Sequence, residues 1–177
     1  KFNDPNYGKR FLLPELRNWS AKLATLIENI KKATGPVFIY SFFVSSGVIP
    51  IAFALEMNGF QRYKMHGNPL LNNPFKEIGG ENTLDYIIYT GDARISSHAS
   101  DYLDLREKMI NERGVKVLIG SGKAREGLNL FGYREVHIFD PWHNINKIEQ
   151  SIGRAIRQGS HAHLPPAERN VTVYLYA

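Results

Sequence analysis

At 177 residues and 43% hydrophobic, the chain is long enough to bury one substantial core and reads as a single domain, residues 1–177. A net charge of +5 suits a phosphate-bearing partner and equally suits an ordinary basic protein. The absence of cysteine excludes a disulfide framework and a thiolate metal site, and no run of apolar residues is long enough to span a membrane as a helix.

The opening, Lys1-Phe-Asn-Asp-Pro5, has no charged-then-apolar signal pattern. Residues 1–12 read as an extended lead-in, entered from a longer chain. Leu16 to Lys32 is predicted as one amphipathic helix, with Leu16, Leu23, Leu26, Ile27 and Ile30 on one side, stopped by Gly35-Pro36. Val37 to Phe43 reads as a strand. Val48 to Asn58 reads as a helix that Pro50 starts near Ile49 and Gly59 ends. Phe60 to Met65 is a short strand. Residues 66–85 contain Pro69, Pro74 and Gly79-Gly80, show no period, and read as a loop or insertion. Tyr86 to Tyr89 is a strand running into Thr90-Gly91-Asp92, and Ser100 to Asn111 is helical. Val115 to Ile119 and Val136 to Phe139 are short, apolar and β-branched, the pattern of strands buried on both faces. Val171 to Tyr176 closes the set. Alternation of this kind predicts an α/β fold, a mostly parallel sheet flanked by helices on both faces. In such a sheet the loops at the carboxyl ends of the strands bind nucleotides and substrates.

Ile148 to Arg157 carries the most chemistry. Ile148, Ile152, Ala155 and Ile156 repeat at helical spacing, while Gln150, Arg154 and Arg157 fall at i, i+4 and i+7 on the opposite face. Asn146 with Glu149 forms a start signal and Gly159 a stop. Gly153 costs a helix interior about 1 kcal/mol relative to Ala, which close approach by a ligand or another backbone would explain. Two guanidiniums and an amide in a row match a polyphosphate; a solvated basic face is the plainer reading of the same spacing.

The surrounding motifs separate these readings. Ser121 to Leu130, Asp140-Pro-Trp-His-Asn144 and Gln150-x-x-Gly-Arg-x-x-Arg157 resemble motifs V, Va and VI of superfamily 2 helicases, closest to the Swi/Snf-like branch. Gly35 to Phe42 with Ser46-Gly-Val-Ile49 is similar to motif IV. The tail from Gly153 through His161, Leu164-Pro165 and Arg169 to Tyr176 resembles the helicase-like ATPases of large cytoplasmic DNA viruses, the branch of the poxvirus early transcription factor small subunit and its asfarvirus and mimivirus relatives.

The resemblance implies the second RecA-like domain of a motor that closes on ATP and Mg²⁺ held by a first RecA-like domain. It implies Arg157 as arginine finger, Arg154 as a second γ-phosphate contact and Gln150 as a bridge to the phosphate or the attacking water. Gly127, Asn129 and Glu126 would approach the nucleotide. Nucleic acid, DNA or RNA, would cross Ser41 or Ser45, Thr90, Gly91, Asp92, Ser121, Gly122 and Lys123. A viral RNA polymerase is an implied partner, and the virion and host cytoplasm (the viral factory) the implied location. Trp142 either stacks on a base or packs its own turn.

Half of such a site is missing from the sequence. No Gly-x-x-x-x-Gly-Lys-[Ser/Thr] occurs; Gly120-Ser-Gly-Lys-Ala124 imitates one but puts Ala where Mg²⁺ needs a hydroxyl. The domain alone is therefore expected to be inactive as an ATPase. The alternative is a nucleic-acid or protein-binding module with a degenerate ATP site. His161-x-His163 lacks further ligands for a metal and reads as surface loop, and His137 and His143 read as structural.

Overall fold

The computed structural model describes residues 7–63, 70, 84–97, 103, 117–122, 131–141 and 145–177. Among the described residues, six strands form one sheet: β1 (Val37–Tyr40), β2 (Phe60–Arg62), β3 (Leu84–Tyr89), β4 (Val117–Gly120), β5 (Glu135–Ile138) and β6 (Thr172–Leu175). Their order is β2-β3-β4-β1-β5-β6, and every pairing is parallel. β1 is central because all four of its residues are buried. Its alternate side chains face opposite layers, as a pleated strand requires. Val37 and Ile39 join Val117, Ile119, Tyr86 and Ile88 on one face. Phe38 and Tyr40 join Leu118, Val136 and Ile138 on the other.

The first face is covered by α2 (Ala21–Lys32) through Leu23, Leu26, Ile27 and Ile30, and by α3 (Ile49–Met57) through Ile51, Ala52 and Leu55. The second is covered by α4 (Ile145–Ala155) through Ile148 and Ala155. The expected α/β sandwich is what forms, with a sheet that is parallel throughout.

Several boundaries move. The helix expected over residues 16–32 is two, α1 (Leu16–Trp19) and α2, divided at Ser20. Ser20 leaves the helical region at φ −155° and its side chain accepts from Leu23 N–H at 3.1 Å. A capped N-terminus therefore replaces one continuous turn, and the start of α2 is aimed at the carboxyl edge of the sheet. Residues Tyr7–Phe11 form a 3-10 turn rather than an extended lead-in, held by Phe11 packed edge-on to Phe53. Between β1 and α3 the backbone makes a π turn over Val44–Val48, so the strand ends at Tyr40 rather than Phe43. β2 stops at Arg62, short of Met65, and β3 begins at Leu84, inside the stretch expected as loop. The remainder of residues 66–85 apart from Leu70, and the helix expected over 100–111 apart from Leu103, lie outside the described residues.

His137 on β5 is structural, as its sequence context suggests. It is fully buried, with Nδ1 2.7 Å from Tyr176 Oη and Nε2 2.9 Å from Glu135 Oε2. Tyr176 Oη accepts from Asn29 Nδ2 at 3.0 Å and donates its proton to Nδ1, so Nε2–H donates to Glu135. Burial raises the Tyr176 phenol to about 12, which keeps that proton in place. Replacing His137 with Leu strands a phenol and a carboxylate beside an apolar group; a loss of about 1–3 kcal/mol is expected in urea unfolding.

Candidate functional site

Because all strands run the same way, the chain leaves β1, β3, β4 and β5 on one edge, at Ser41, Thr90, Ser121 and Phe139. The sheet's hydrogen bonding continues into these positions: Ser41 N–H donates to Gly120 O at 3.0 Å, Ser121 N–H to Tyr89 O at 3.2 Å and Phe139 N–H to Tyr40 O at 2.8 Å. The four exits are thus fixed to one another by backbone bonds.

Ser41 was expected to contact nucleic acid, and the structure gives it other work. It is fully buried, and its hydroxyl donates to Asp140 Oδ2 at 2.5 Å, with Phe43 O a second acceptor at 3.0 Å. A Cβ on Gly47 would lie 1.9 Å from Ser41 Oγ and 3.1 Å from Asp140 Oδ2. Ser41, Gly47 and Asp140 therefore lock the π turn to the end of β5. The other carboxylate oxygen of Asp140 lies 4.0 Å from Lys22 Nζ.

Thr90 is also mostly inward-facing. Its N–H donates to Ser96 Oγ at 3.1 Å, and its hydroxyl oxygen accepts from Asp92 N–H at 3.1 Å. Gly91 is exposed at the tip. Asp92 accepts from Arg94 Nε at 2.9 Å and a terminal nitrogen at 2.6 Å. Those bonds hold its carboxyl at about 2, below the ordinary range. The pair therefore persists through neutral pH and is lost as pH falls through about 2. Ser121 is nearly buried and Gly122 partly so. Lys123, Glu126, Gly127, Asn129 and Trp142 lie outside the described residues.

α4 carries the arginine motif with two corrections. It begins at Ile145, so Asn146 lies within the helix and does not cap it, and it ends at Ala155. Ile148, Ser151 and Ala155 are buried and Ile152 partly so, while Ile156 is 53% exposed. Gln150 and Gly153 are exposed and Arg154 is partly buried. Arg157 stands beyond the helix in a turn, its carbonyl accepting Ser160 N–H at 3.0 Å. The turn is closed by Gly159 at φ +79°, a conformation that favours glycine. The Arg157 side chain is exposed and has no hydrogen-bond or ionic partner among the described residues. It shares a groove of about 330 Å³ with His161 and Arg169.

The loop that follows is bound rather than loose, a feature the sequence reading missed. His161 Nε2 lies 2.7 Å from Tyr133 O and Nδ1 lies 2.8 Å from Ser160 Oγ. Ser160 in turn reaches Ala155 O at 3.3 Å. Arg169 donates to Leu164 O at 2.9 Å and Ala162 O at 3.1 Å. His163 stacks on Phe131 at 4.9 Å. The end of α4 is thereby stapled to the start of β5, 28 residues away in sequence for His161 and Tyr133. Burial and the neighbouring His161 lower the His163 pKa. Two histidines one residue apart were a visible signal, but their carbonyl and aromatic partners were not. Among the described residues no cluster of His, Asp and Glu would hold a metal ion.

A parallel sheet with its loops gathered on one edge and an arginine-bearing helix beside them defines a RecA-like α/β domain. The same fold is found in the C-terminal part of the Fun30 ATPase domain (TM-score 0.60, 20% identity, covering 92% of this chain and 42% of that one). It recurs in the yeast DEAD-box splicing factor Prp28 (TM-score 0.54, 15% identity, 88% and 26% covered). Residues 86–159 match the helicase conserved C-terminal domain. In sequence the chain is 31% identical to a protein of Acanthamoeba polyphaga mimivirus named as an ATP-dependent RNA helicase, over 93% of this chain and 27% of the relative. It is 34% identical to the termination factor NPH-I homolog of African swine fever virus, over 90% and 26%. The chain thus carries a match to the helicase conserved C-terminal domain and has relatives among viral helicases. It spans about a quarter of the length of those relatives.

Proposed function

We propose that this chain is the second motor domain of a nucleic-acid-dependent ATPase, supplying arginines to a nucleotide held by a first RecA-like domain. The observation that carries the reading is the open side of α4. A Cβ on Gly153 would meet nothing within 4 Å, and Gln150 and Arg157 on either side are exposed. A mid-helix glycine with empty space before it has no explanation among the described residues and a simple one in close approach by another domain. ATP fits that arrangement, since guanidiniums match phosphate oxygens and stay charged. The bound nucleotide supplies the phosphoryl group and, with Mg²⁺, its activation. Arg157 would stabilise the charge that develops on the γ-phosphoryl oxygens, with Arg154 and Gln150 beside it. Glu126, Gly127 and Asn129 are proposed for the nucleotide's other flank.

DNA or RNA is proposed to pass over the strand exits, contacting Gly91, Ser121, Gly122 and Lys123. Buried Ser41 and Thr90 shape those loops, and Asp92 faces outward already paired. Relatives named as a termination factor and an RNA helicase support a role in viral transcription, with a viral RNA polymerase as partner and the virion or host cytoplasm as location.

The test is ATP hydrolysis by the full chain and by a longer protein containing it. No turnover by the chain alone and nucleic-acid-stimulated turnover by the longer protein are expected; turnover by the chain alone would overturn the two-domain reading. Gly153→Ala separates the interface from the fold. It should leave the chain's own stability unchanged or raised by up to about 1 kcal/mol, while lowering turnover in the longer protein. Equal turnover would mean that nothing approaches α4 there.

A further inference from the structure

Arg157 lies two residues past Ala155, the last residue of α4, where helical hydrogen bonding gives out. A group that meets charge in a transition state must nevertheless be placed closely; about 1 Å of error can lower a rate about a hundredfold. What holds the backbone of Arg157 is a relay of bonds. Its carbonyl accepts Ser160 N–H at 3.0 Å. Ser160 is nearly fully buried, and its hydroxyl lies 2.8 Å from His161 Nδ1 and 3.3 Å from Ala155 O. His161 Nε2 reaches Tyr133 O at 2.7 Å. The next residue, Arg134, donates its N–H to Pro36 O at 2.8 Å, beside the start of β1.

The tautomer of His161 follows from its partners. A carbonyl only accepts, so the short contact to Tyr133 O requires the proton on Nε2. Nδ1 of the neutral ring then accepts from the Ser160 hydroxyl, in keeping with 2.8 Å there against 3.3 Å to Ala155 O. Both ring nitrogens are thereby engaged. His161 has no donor left for a phosphate, although it shares the groove with Arg157. Reversal of the chain does not need this ring: Gly159 at φ +79° already makes the turn, and Arg169 closes the following loop through Leu164 O and Ala162 O. The imidazole adds a tie to the sheet itself, across 28 residues of sequence.

We propose that His161, acting through Ser160, is a positioning residue for Arg157, fixing the turn that carries the arginine to the foot of β5. The assignment rests on Arg157 as the phosphate contact proposed above and adds the device that sets its place.

In a longer protein carrying this domain, His161→Ala is expected to lower kcat for ATP about a hundredfold with KM little changed. His161→Gln should restore most of it, because its amide can place an N–H where Nε2 stands; His161→Asn, one methylene shorter, should not. The comparison with Arg157→Ala separates aiming from folding. If His161 acts through Arg157, adding His161→Ala to Arg157→Ala lowers kcat no further. A full hundredfold loss in that background would mean that His161 serves something else, and overturns the proposal. Should His161→Ala fail to fold, Ser160→Ala, which removes only the hydroxyl link, carries the same comparison. Hydrogen exchange in this chain reads the clamp without any activity: amides of residues 157–160 should exchange faster in His161→Ala and near the wild-type rate in His161→Gln. Equal exchange in all three overturns the clamp. Wild-type kcat in His161→Ala beside a large loss in Arg157→Ala overturns the positioning role and leaves the reading of Arg157 standing. No loss in Arg157→Ala overturns both.

Discussion

In a longer protein carrying this domain, Arg157→Ala is expected to lower kcat for ATP by about 10³–10⁵, the range for loss of an arginine finger. The KM for ATP should move far less. The asymmetry follows from position. Arg157 stands beyond α4, exposed and without an ionic partner among the described residues, so under the proposed function it would meet phosphate only when two motor domains close. An interaction gained in the transition state appears in kcat, whereas one present already in the ground state appears in KM. Steady-state ATPase assays at saturating nucleic acid separate the two. Arg157→Lys should rescue little, because an ammonium offers no planar fork. A variant whose KM rises with kcat intact would reassign Arg157 to ground-state binding. Turnover indifferent to both the substitution and nucleic acid would favour a binding module with an inactive nucleotide site.

The second large effect falls on Gly47, far from the arginines in sequence. Gly47→Ala places a methyl 1.9 Å from Ser41 Oγ and 3.1 Å from both Ser41 Cβ and Asp140 Oδ2. The serine must turn out of its bond to Asp140, or the π turn must shift. Overpacking of this kind costs about 1–3 kcal/mol, and the stranded carboxylate adds to it. Urea unfolding of Gly47→Ala, Ser41→Ala and the double variant tests the assignment. If the clash is with the hydroxyl, the double variant is more stable than Gly47→Ala alone, a coupling that distant, independent sites do not show. Strict additivity would move the strain elsewhere in the turn.

The layers of the fold were legible because they are written in periods. Val37 to Tyr40 and Val117 to Ile119 announce strands buried on both faces, and Leu23, Leu26, Ile27 and Ile30 announce the face of α2. The interruptions were less legible. Ser20 lies between two stretches that share one hydrophobic stripe, and only the folded geometry shows its hydroxyl capping the second stretch. Arg157 keeps helical spacing from Gln150 and Arg154, yet the left-handed Gly159 and the clamp at Ser160 and His161 end the helix before it. Ser41 was read as a phosphate contact because a small hydroxyl at a strand end suits one. Its acceptor, Asp140, is 99 residues away, and no local pattern reveals a pair so separated. The histidines of the last loop were underestimated for the same reason.

The centrality of β1 also has a consequence during synthesis. Its four residues are buried on both faces, and its two neighbours are Val117–Gly120 and Glu135–Ile138. At about 5–20 residues per second, a ribosome needs several seconds after making β1 to release either neighbour. For that interval the chain carries a sticky, unpaired hydrophobic strand, the kind of segment that chaperones hold and that crowded nascent chains exchange with one another. A version truncated before β4 would prolong that condition indefinitely. It should accumulate as aggregate or be degraded, rather than persist as a smaller domain.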